Sequence, residues 1–240
     1  MNKIIIQIPL NVLGQNKIRE LDEVWIKRRV QLFIEYTLQS LKAQSNQCFT
    51  ALLRCRDSSI SLVSKMLKGK LPENVIIVGV EEFEKQIIKL SEGYDSFYWL
   101  RLDSDDMYIN TFIEILQNYT PKPETEVLIS QNCYAYDIYQ KRLAYFFYPS
   151  PQSYALIYNT KEFVNGKRYF LKNGHGGAIL LKHELIPGNN YIDTVHDGNN
   201  SSTWIDREGK IQFAYKGIPR EEIKDKKIIK IQQKINELQN

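Results

Sequence analysis

The fold is indicated most directly by residues 97–106, which read Phe97-Tyr98-Trp99-Leu100-Arg101-Leu102-Asp103-Ser104-Asp105-Asp106. The apolar, aromatic first part predicts a buried strand, and three carboxylates follow where that strand would end. In α/β sheets, ligands bind outside the carboxyl ends of the strands. Clustered carboxylates favour a hard divalent cation, and such a cation can hold a diphosphate against the protein. The segment therefore suggests a metal-dependent enzyme that acts on a nucleotide-sugar.

Strands and helices alternate before this segment. Strands are predicted at Ile4–Leu10, Phe49–Cys55 and Val75–Val80, and helices at about Trp25–Gln44, Ile60–Lys68 and Glu81–Leu90. A further helix is predicted over Met107–Asn118, and Asp57 is a plausible N-cap for the Ile60 helix. The alternation predicts an α/β domain with a mainly parallel central sheet flanked by helices.

The second half of the chain has a different character. Val127–Ser130 predicts a strand, and Tyr134–Tyr148 predicts a hairpin that turns near Gln140-Lys141-Arg142. With no repeat or linker, we expect one domain over residues 1–219, with a nucleotide-binding half (about 1–120) and an acceptor-binding half (about 121–219). Residues 220–240 predict a basic amphipathic helix, which either packs on its own domain or makes peripheral contact with a membrane surface.

Composition excludes several classes of protein. The formal net charge is +4 with both signs spread along the chain, so no nucleic-acid footprint stands out. The three cysteines are too few and too scattered for a disulfide framework or a zinc knuckle. No apolar segment approaches the length of a membrane span or a signal-peptide core. We therefore expect a cytoplasmic protein, either free or peripheral at the inner face of the membrane.

Two later segments carry further candidate site residues. His196 follows a strand-like stretch and precedes a Gly/Asn loop, where an imidazole could bind Mn²⁺ or make one loop hydrogen bond. His175 lies among three glycines in Asn173-Gly174-His175-Gly176-Gly177, a run that allows close backbone approach to a ligand or simply forms a tight turn.

Two other interpretations of the acidic segment were considered. In the first, Asp105 or Asp106 caps the following helix. The second, an EF-hand calcium loop, is excluded because Met107 and Tyr108 occupy positions that need an oxygen ligand and a glycine.

Three ordered motifs resemble those of a bacterial putative rhamnosyltransferase family within the GT-A glycosyltransferases. The first comprises Arg29-Val30-Gln31-Leu32-Phe33 with Leu38-Gln39-Ser40-Leu41-Lys42-Ala43-Gln44, which resembles the family's first helix. The second is Arg101-Leu102-Asp103-Ser104-Asp105-Asp106, which matches an Asp-x-Asp (DXD) signature. The third is Val195-His196-Asp197-Gly198-Asn199, which resembles a late His-x-x-Asn element.

The resemblance implies a GT-A-like fold and a set of roles. Asp103, Asp105 and His196 would bind a divalent metal (Mn or Mg), and Asp103 would also contact the nucleotide-sugar. Pro9, Asp57, Arg101 and Asn199 would contribute to the donor site. Asp106 would hold the acidic loop. Many inverting members of the fold use a Glu-Asp pair as base, which this chain lacks, so Asp193 is the nearest substitute, followed by His175 and Glu184.

The expected reaction moves a sugar from a nucleotide-diphosphate donor to a hydroxyl of a saccharide or glycolipid acceptor, in bacterial surface polysaccharide synthesis. Several aromatic residues could stack on the acceptor or belong to the core: Tyr134, Tyr136, Tyr145, Tyr148 and Trp204. One alternative is a sugar nucleotidyltransferase, which would want a glycine-rich, Arg-containing loop after the first strand. The other is a non-catalytic carbohydrate-binding protein derived from a transferase.

Overall fold

The computed structural model describes residues 3–12, 19–172, 174–197, 204–207 and 210–213. The helices are α1 (Glu23–Leu32), α2 (Leu38–Lys42), α3 (Ile60–Leu67), α4 (Phe83–Ser91), α5 (Phe112–Asn118) and α6 (Thr160–Val164). The strands of the first half are β1 (Lys3–Pro9), β2 (Thr50–Cys55), β3 (Val75–Gly79), β4 (Ser96–Arg101), β5 (Met107–Tyr108) and β6 (Val127–Ile129). Those of the second half are β7 (Asn132–Asp137), β8 (Arg142–Phe147), β9 (Tyr154–Asn159), β10 (His183–Leu185), β11 (Asn189–Val195), β12 (Trp204–Arg207) and β13 (Lys210–Phe213).

Seven strands form the central sheet, in the order β10-β6-β9-β4-β1-β2-β3. All neighbouring pairs are parallel except those of β9, which runs antiparallel to both β4 and β6. The strands are apolar on both faces, as in β1, where Ile4, Ile6 and Ile8 enter one core cluster and Ile5 the other. Such two-faced burial is typical of a sheet covered by helices on both sides. The predicted mixed α/β fold with a mainly parallel central sheet is confirmed.

The long predicted helix near the N-terminus is present, and its centre is unusual. Helices α1 and α2 are joined without a break by the π-helical turn Phe33–Thr37, so the helical segment runs from Glu23 to Lys42. Asp22 caps it, accepting a hydrogen bond of 2.7 Å from the backbone N–H of Trp25. π-Helical turns are frequently found at functional sites.

A second sheet of four strands, in the order β5-β11-β7-β8, lies after the acidic segment in the chain. Its β7–β8 hairpin matches the predicted hairpin. The prediction of a helix from Met107 was wrong, because Met107 and Tyr108 form β5 and pair with Ile192 and Tyr191 of β11. Both side chains are buried, so their apolar spacing reflects burial in a strand, and the helix begins only at Phe112.

Some of the predicted features lie in residues that the structure does not describe. Residues 214–240, which hold the predicted basic helix, and Asn199 lie outside the described residues. Trp204 begins β12, and its side chain is not described. Among the described residues, no helix has the length and apolarity needed to cross a membrane.

Candidate functional site

The acidic segment lies at the carboxyl edge of the central sheet. Asp103 follows β4, and the backbone N–H of Leu102 donates a hydrogen bond of 3.0 Å to the carbonyl of Gln7 in the adjacent strand β1. Pro9 ends β1 and is buried, and Asp57 follows β2. Because these parallel strands end at one edge, Pro9, Asp57 and Asp103 share the position at which α/β sheets bind ligands.

Asp57 lies over the end of the neighbouring strand β3. A Cβ atom added at Gly79 would come 2.1 Å from Asp57 Oδ1 and 2.9 Å from the side chain of Ile60. Asp57 is exposed and is not the cap of α3, because a 3₁₀ turn over Asp57–Ser59 comes between. The capping prediction was therefore wrong, and glycine at residue 79 leaves the space that the carboxylate occupies.

Asp105 is the buried centre of a charged cluster. Its carboxylate accepts hydrogen bonds from both terminal nitrogens of Arg29, at 2.7 and 3.1 Å, and Arg29 also donates to Ser104 Oγ at 2.5 Å. Nε2 of His196 lies 2.9 Å from Asp105 Oδ2. Burial alone would raise the pKa of Asp105, but Arg29 and His196 together hold that pKa below its usual range. Asp105 is therefore a carboxylate at neutral pH.

Arg29 belongs to this site, although the sequence analysis did not predict it there. It was noted only as part of a helix motif, yet it carries a charge on the buried face of α1, between Ile26 and Val30. Its guanidinium lies 5.8 Å from the ring centre of Trp25, and burial, which lowers its pKa, is outweighed by Asp105, which raises it. The sequence does contain a signal for this role: Arg29 falls on the face of the helix where the helical period places apolar residues. A charge on such a face is buried, and a buried charge normally has a partner of opposite sign.

Asp106 connects the acidic segment to the second sheet. Its Oδ1 accepts a hydrogen bond of 2.9 Å from the backbone N–H of Thr194, and its Oδ2 accepts one of 3.0 Å from Gln152. Thr194 in turn donates from its hydroxyl to the carbonyl of Asp105, at 2.7 Å. These contacts support the implied holding role of Asp106. Burial, and then the nearby charges of Asp193, Asp105 and Asp103, raises the pKa of Asp106 well above its usual value.

Asp103 has a more open environment than the other two aspartates. Its side chain is 28% exposed and forms a salt bridge of 3.0 Å with Arg101. Both charges act on His175. Burial lowers the pKa of His175 most, the positive charge of Arg101 lowers it further, and the negative charge of Asp103 partly raises it again. The ring of Tyr148 lies 6.4 Å from that of His175. His175 therefore lies within electrostatic range of the Asp103–Arg101 pair.

The donor set around Asp105 can be tested for fit to a divalent cation. Two ligands at about 2.1 Å in neighbouring octahedral positions are about 3 Å apart, and His196 Nε2 and Asp105 Oδ2 match that separation. Within the described part of the chain, no group of three His, Cys, Asp or Glu side chains is arranged to hold a metal. The same 2.9 Å separation is that of the hydrogen bond between the two groups, and Arg29 donates to both Asp105 oxygens. A cation here would have Asp105 and His196 as protein ligands and would need diphosphate oxygens and water to complete its shell; the imidazole favours Mn²⁺ over Mg²⁺.

The two other candidate bases have different surroundings. Asp193 lies in β11, is 5% exposed, and its charge contributes to the raised pKa of Asp106. Glu184 lies away from the aspartates, on the edge strand β10, where its carboxylate accepts hydrogen bonds from Tyr119, Lys122 and Thr125. Glu184 thus anchors the segment before β6 and does not contact the acidic cluster.

The aromatic candidates divide between core and surface. Tyr136 is fully buried, 6.4 Å from the ring of Tyr36. Tyr134 is 9% exposed, and its ring lies 5.6 Å from that of Tyr145, tilted by 31°; Tyr145 is 43% exposed. Tyr145 is therefore accessible to a ligand, Tyr148 is half-buried, and Tyr136 belongs to the core.

An open groove of about 280 Å³ gives access to His196 from the side of α1. Its lining includes Trp25, Arg28 and Arg29 from α1, together with His196 and Asp197. Arg28 pairs with Asp197, and the hydroxyl of Tyr139 donates to the same carboxylate. The groove therefore carries both signs of charge, with Arg28 and Arg29 on α1 and the carboxylates of Asp22 and Asp197 beside them.

No protein family model matches the chain, and neither does any curated protein sequence. Solved structures similar to it include the glycosyltransferase TarS of S. aureus. The complex of TarS 1–349 with UDP-GlcNAc is 16% identical at a TM-score of 0.49, and 83% of this chain matches 60% of that one. The complex with UDP is 16% identical at a TM-score of 0.47, and 81% of this chain matches 61% of that one. The chain spans about three fifths of the length of these TarS structures.

Proposed function

We propose that this protein is a glycosyltransferase that moves a sugar from a nucleotide-diphosphate donor to an acceptor hydroxyl. One observation carries the proposal: the Asp105–His196 pair follows Asp103 at the carboxyl edge of a parallel sheet, the edge at which Pro9 ends β1 and Asp57 follows β2. The proposal depends on these residues and not on the similarity to TarS.

The nucleotide would bind across the ends of β1, β2 and β4. Pro9 offers an apolar surface, and the exposed carboxylate of Asp57 can accept hydrogen bonds from a base. Asp103 is exposed enough to accept from a ribose hydroxyl or to reach a cation. Asn199 is proposed as a further donor contact by the family resemblance alone.

Asp105 and His196 would hold a divalent cation, with Asp103 close by. When bound, such a cation supplies charge neutralisation for the diphosphate leaving group. The chain contributes its own positive charge through Arg101, whose pKa Asp103 raises. Arg29 keeps Asp105 ionised and in place, so that the carboxylate is ready for the cation before the donor arrives.

We propose His175 as the base for the acceptor hydroxyl, in preference to Asp193. The lowered pKa of His175 keeps its ring neutral at pH 7, as a proton acceptor requires, and the residue is less buried than Asp193. The acceptor oxygen would bond to the sugar C1 as the C1–O bond to the diphosphate breaks, and its proton would pass to the imidazole. A single displacement of this kind inverts the configuration at C1.

The acceptor is proposed to be a saccharide or glycolipid, stacked on Tyr145 and Tyr148. Bacterial surface polysaccharide synthesis at the inner face of the membrane is the setting, and a rhamnosyl donor is the first one to try. Both follow from the family resemblance.

Donor turnover tests this function. The wild-type protein is incubated with Mn²⁺ and a panel of nucleotide-sugars, and release of the nucleoside diphosphate is measured with and without saccharide acceptors. We expect release from one donor, faster with acceptor, and a loss of about 10²-fold in Asp103→Asn. Glu184→Gln is the matched control, because its carboxylate lies outside the site. Release that is equal in Asp103→Asn and wild type would overturn the proposal.

A further inference from the structure

The segments on either side of His175 present an apolar and basic surface to solvent. In residues 169–172, Tyr169 and Leu171 pack against the core, whereas Phe170 is 86% exposed and Lys172 is also exposed. Residues 179–182 repeat the pattern: Ile179 and Leu181 pack inward, Leu180 is 73% exposed, and Lys182 is exposed. We call Phe170, Lys172, Leu180 and Lys182 the apolar–basic patch.

Close backbone packing joins the two halves of the patch. A Cβ atom at Gly177 would lie 2.4 Å from the carbonyl oxygen of Lys172 and 2.6 Å from its nitrogen. The backbone N–H of Gly174 also donates a hydrogen bond of 3.1 Å to the carbonyl of Leu171. The 3₁₀ turn Gly174–Leu180 thus packs directly against residues 171–172, so the segments that carry Phe170 and Leu180 are neighbours.

The patch itself carries two lysines and no carboxylate, whereas the charges next to it are largely paired. Lys161, Lys167 and Arg168 are also exposed in the preceding segment, where Lys167 bonds to Glu162 and Arg168 to Glu84. Neither Lys172 nor Lys182 forms a salt bridge with a carboxylate of the described residues. Glu126 accepts a hydrogen bond from the backbone N–H of Lys182.

We propose that the apolar–basic patch docks the protein on an anionic lipid bilayer. Exposed apolar side chains can insert at the boundary between lipid headgroups and acyl chains, and lysines beside them are attracted to anionic headgroups. A protein partner fits less well, because a stable interface buries about 800 Å² per partner, far more than two side chains offer. Residues 220–240 of the chain itself carry more Lys and Arg than Asp and Glu, so their charge does not complement the patch.

The docked orientation would bring the candidate base close to the membrane. His175 lies in the same 3₁₀ turn as Leu180, and five residues of 3₁₀ helix span about 10 Å. The bilayer contact thus leaves His175 within reach of a lipid-linked hydroxyl near the headgroups. This last point rests on the proposed function, whereas the bilayer contact does not.

Vesicle flotation of the full chain tests the contact. Binding is measured to phosphatidylcholine vesicles with and without phosphatidylglycerol, for wild type, Phe170→Ser/Leu180→Ser and Lys172→Gln/Lys182→Gln. Matched controls are Val24→Ser, an exposed valine on α1, and Lys65→Gln/Lys68→Gln on and after α3. We expect binding only with phosphatidylglycerol, a loss of about fivefold per lysine removed, and no effect of the controls.

Equal binding by wild type and both patch variants would overturn the proposal, as would no binding to anionic vesicles. Because the patch is exposed, Phe170→Ser/Leu180→Ser should leave the unfolding temperature unchanged. A fall of several degrees would show that the tail of this chain or a second copy covers the patch, and would also overturn the proposal. Nucleotide binding, measured separately, stays intact in the patch variants, so failure of this contact and failure of the proposed function are distinguishable.

Discussion

Replacing Arg29 by Met is the sharpest test of how the acidic segment is held. The change removes the guanidinium that donates to both oxygens of Asp105 and to Ser104, while it keeps an apolar stem of similar length. Asp105 is 6% exposed, so water compensates little of its charge in the ligand-free protein, and only His196 remains as a side-chain partner of its carboxylate. Breaking a buried ion pair by removing one partner costs about 3–5 kcal/mol. We expect the free energy of unfolding to fall by about that amount.

Urea denaturation of Arg29→Met, Asp105→Asn and the double variant measures this energy and its coupling. The double variant should recover most of the loss, because it leaves no unpaired buried charge, and the coupling should reach about 2–3 kcal/mol. Arg28→Met is the control: this neighbouring arginine is 50% exposed and pairs with an exposed aspartate, so its loss should cost under about 1 kcal/mol. A cost below about 1 kcal/mol for Arg29→Met, or strictly additive single changes, would refute the buried ion pair.

Three further predictions follow from the geometry. The raised pKa of Asp106 favours the folded state below the unfolded-state pKa of about 3.9, and this stabilisation is lost as pH rises. Relative to Asp106→Asn, wild type should therefore lose stability in urea titrations as the pH rises above about 4. Gly79→Ala should displace the Asp57 carboxylate and cost about 1–3 kcal/mol, whereas Gly176→Ala, whose Cβ meets nothing within 4 Å, should be nearly neutral in thermal unfolding. His175→Gln should lower turnover about 10²–10⁴-fold while nucleotide affinity stays within about twofold, and the acid limb of the wild-type rate profile should lie below pH 6.5; unchanged turnover would remove His175 as base.

Much of the fold was predictable because its strands are apolar on both faces and alternate with helices. The segment that ends in Asp103 was recognisable by the same reasoning, since an apolar run followed by carboxylates gives both the strand and its end. Local patterns could not distinguish the short strand Met107–Tyr108 from a helix start, because its pairing with β11 joins residues more than 80 positions apart.

The partners within the site were harder to predict from sequence. Asp105 and His196, predicted as ligands of one metal, lie 2.9 Å apart, but Arg29 was assigned only to a helix motif, although it makes the closest contact with the Asp105 carboxylate. Glu184 was proposed as a base from its position in the chain, and its contacts with Tyr119 and Thr125 became visible only in three dimensions. Charge on an apolar helical face is the pattern that would have identified Arg29.

Calorimetric titration with nucleoside diphosphates and Mn²⁺ measures directly whether the end of β4 binds a cation and a diphosphate. We expect that one nucleotide binds wild type and Glu184→Gln alike, that Mn²⁺ is required, and that Asp103→Asn and His196→Gln each weaken binding at least tenfold. Binding that survives both substitutions, or no binding of any nucleotide, would contradict a cation and diphosphate site at the end of β4.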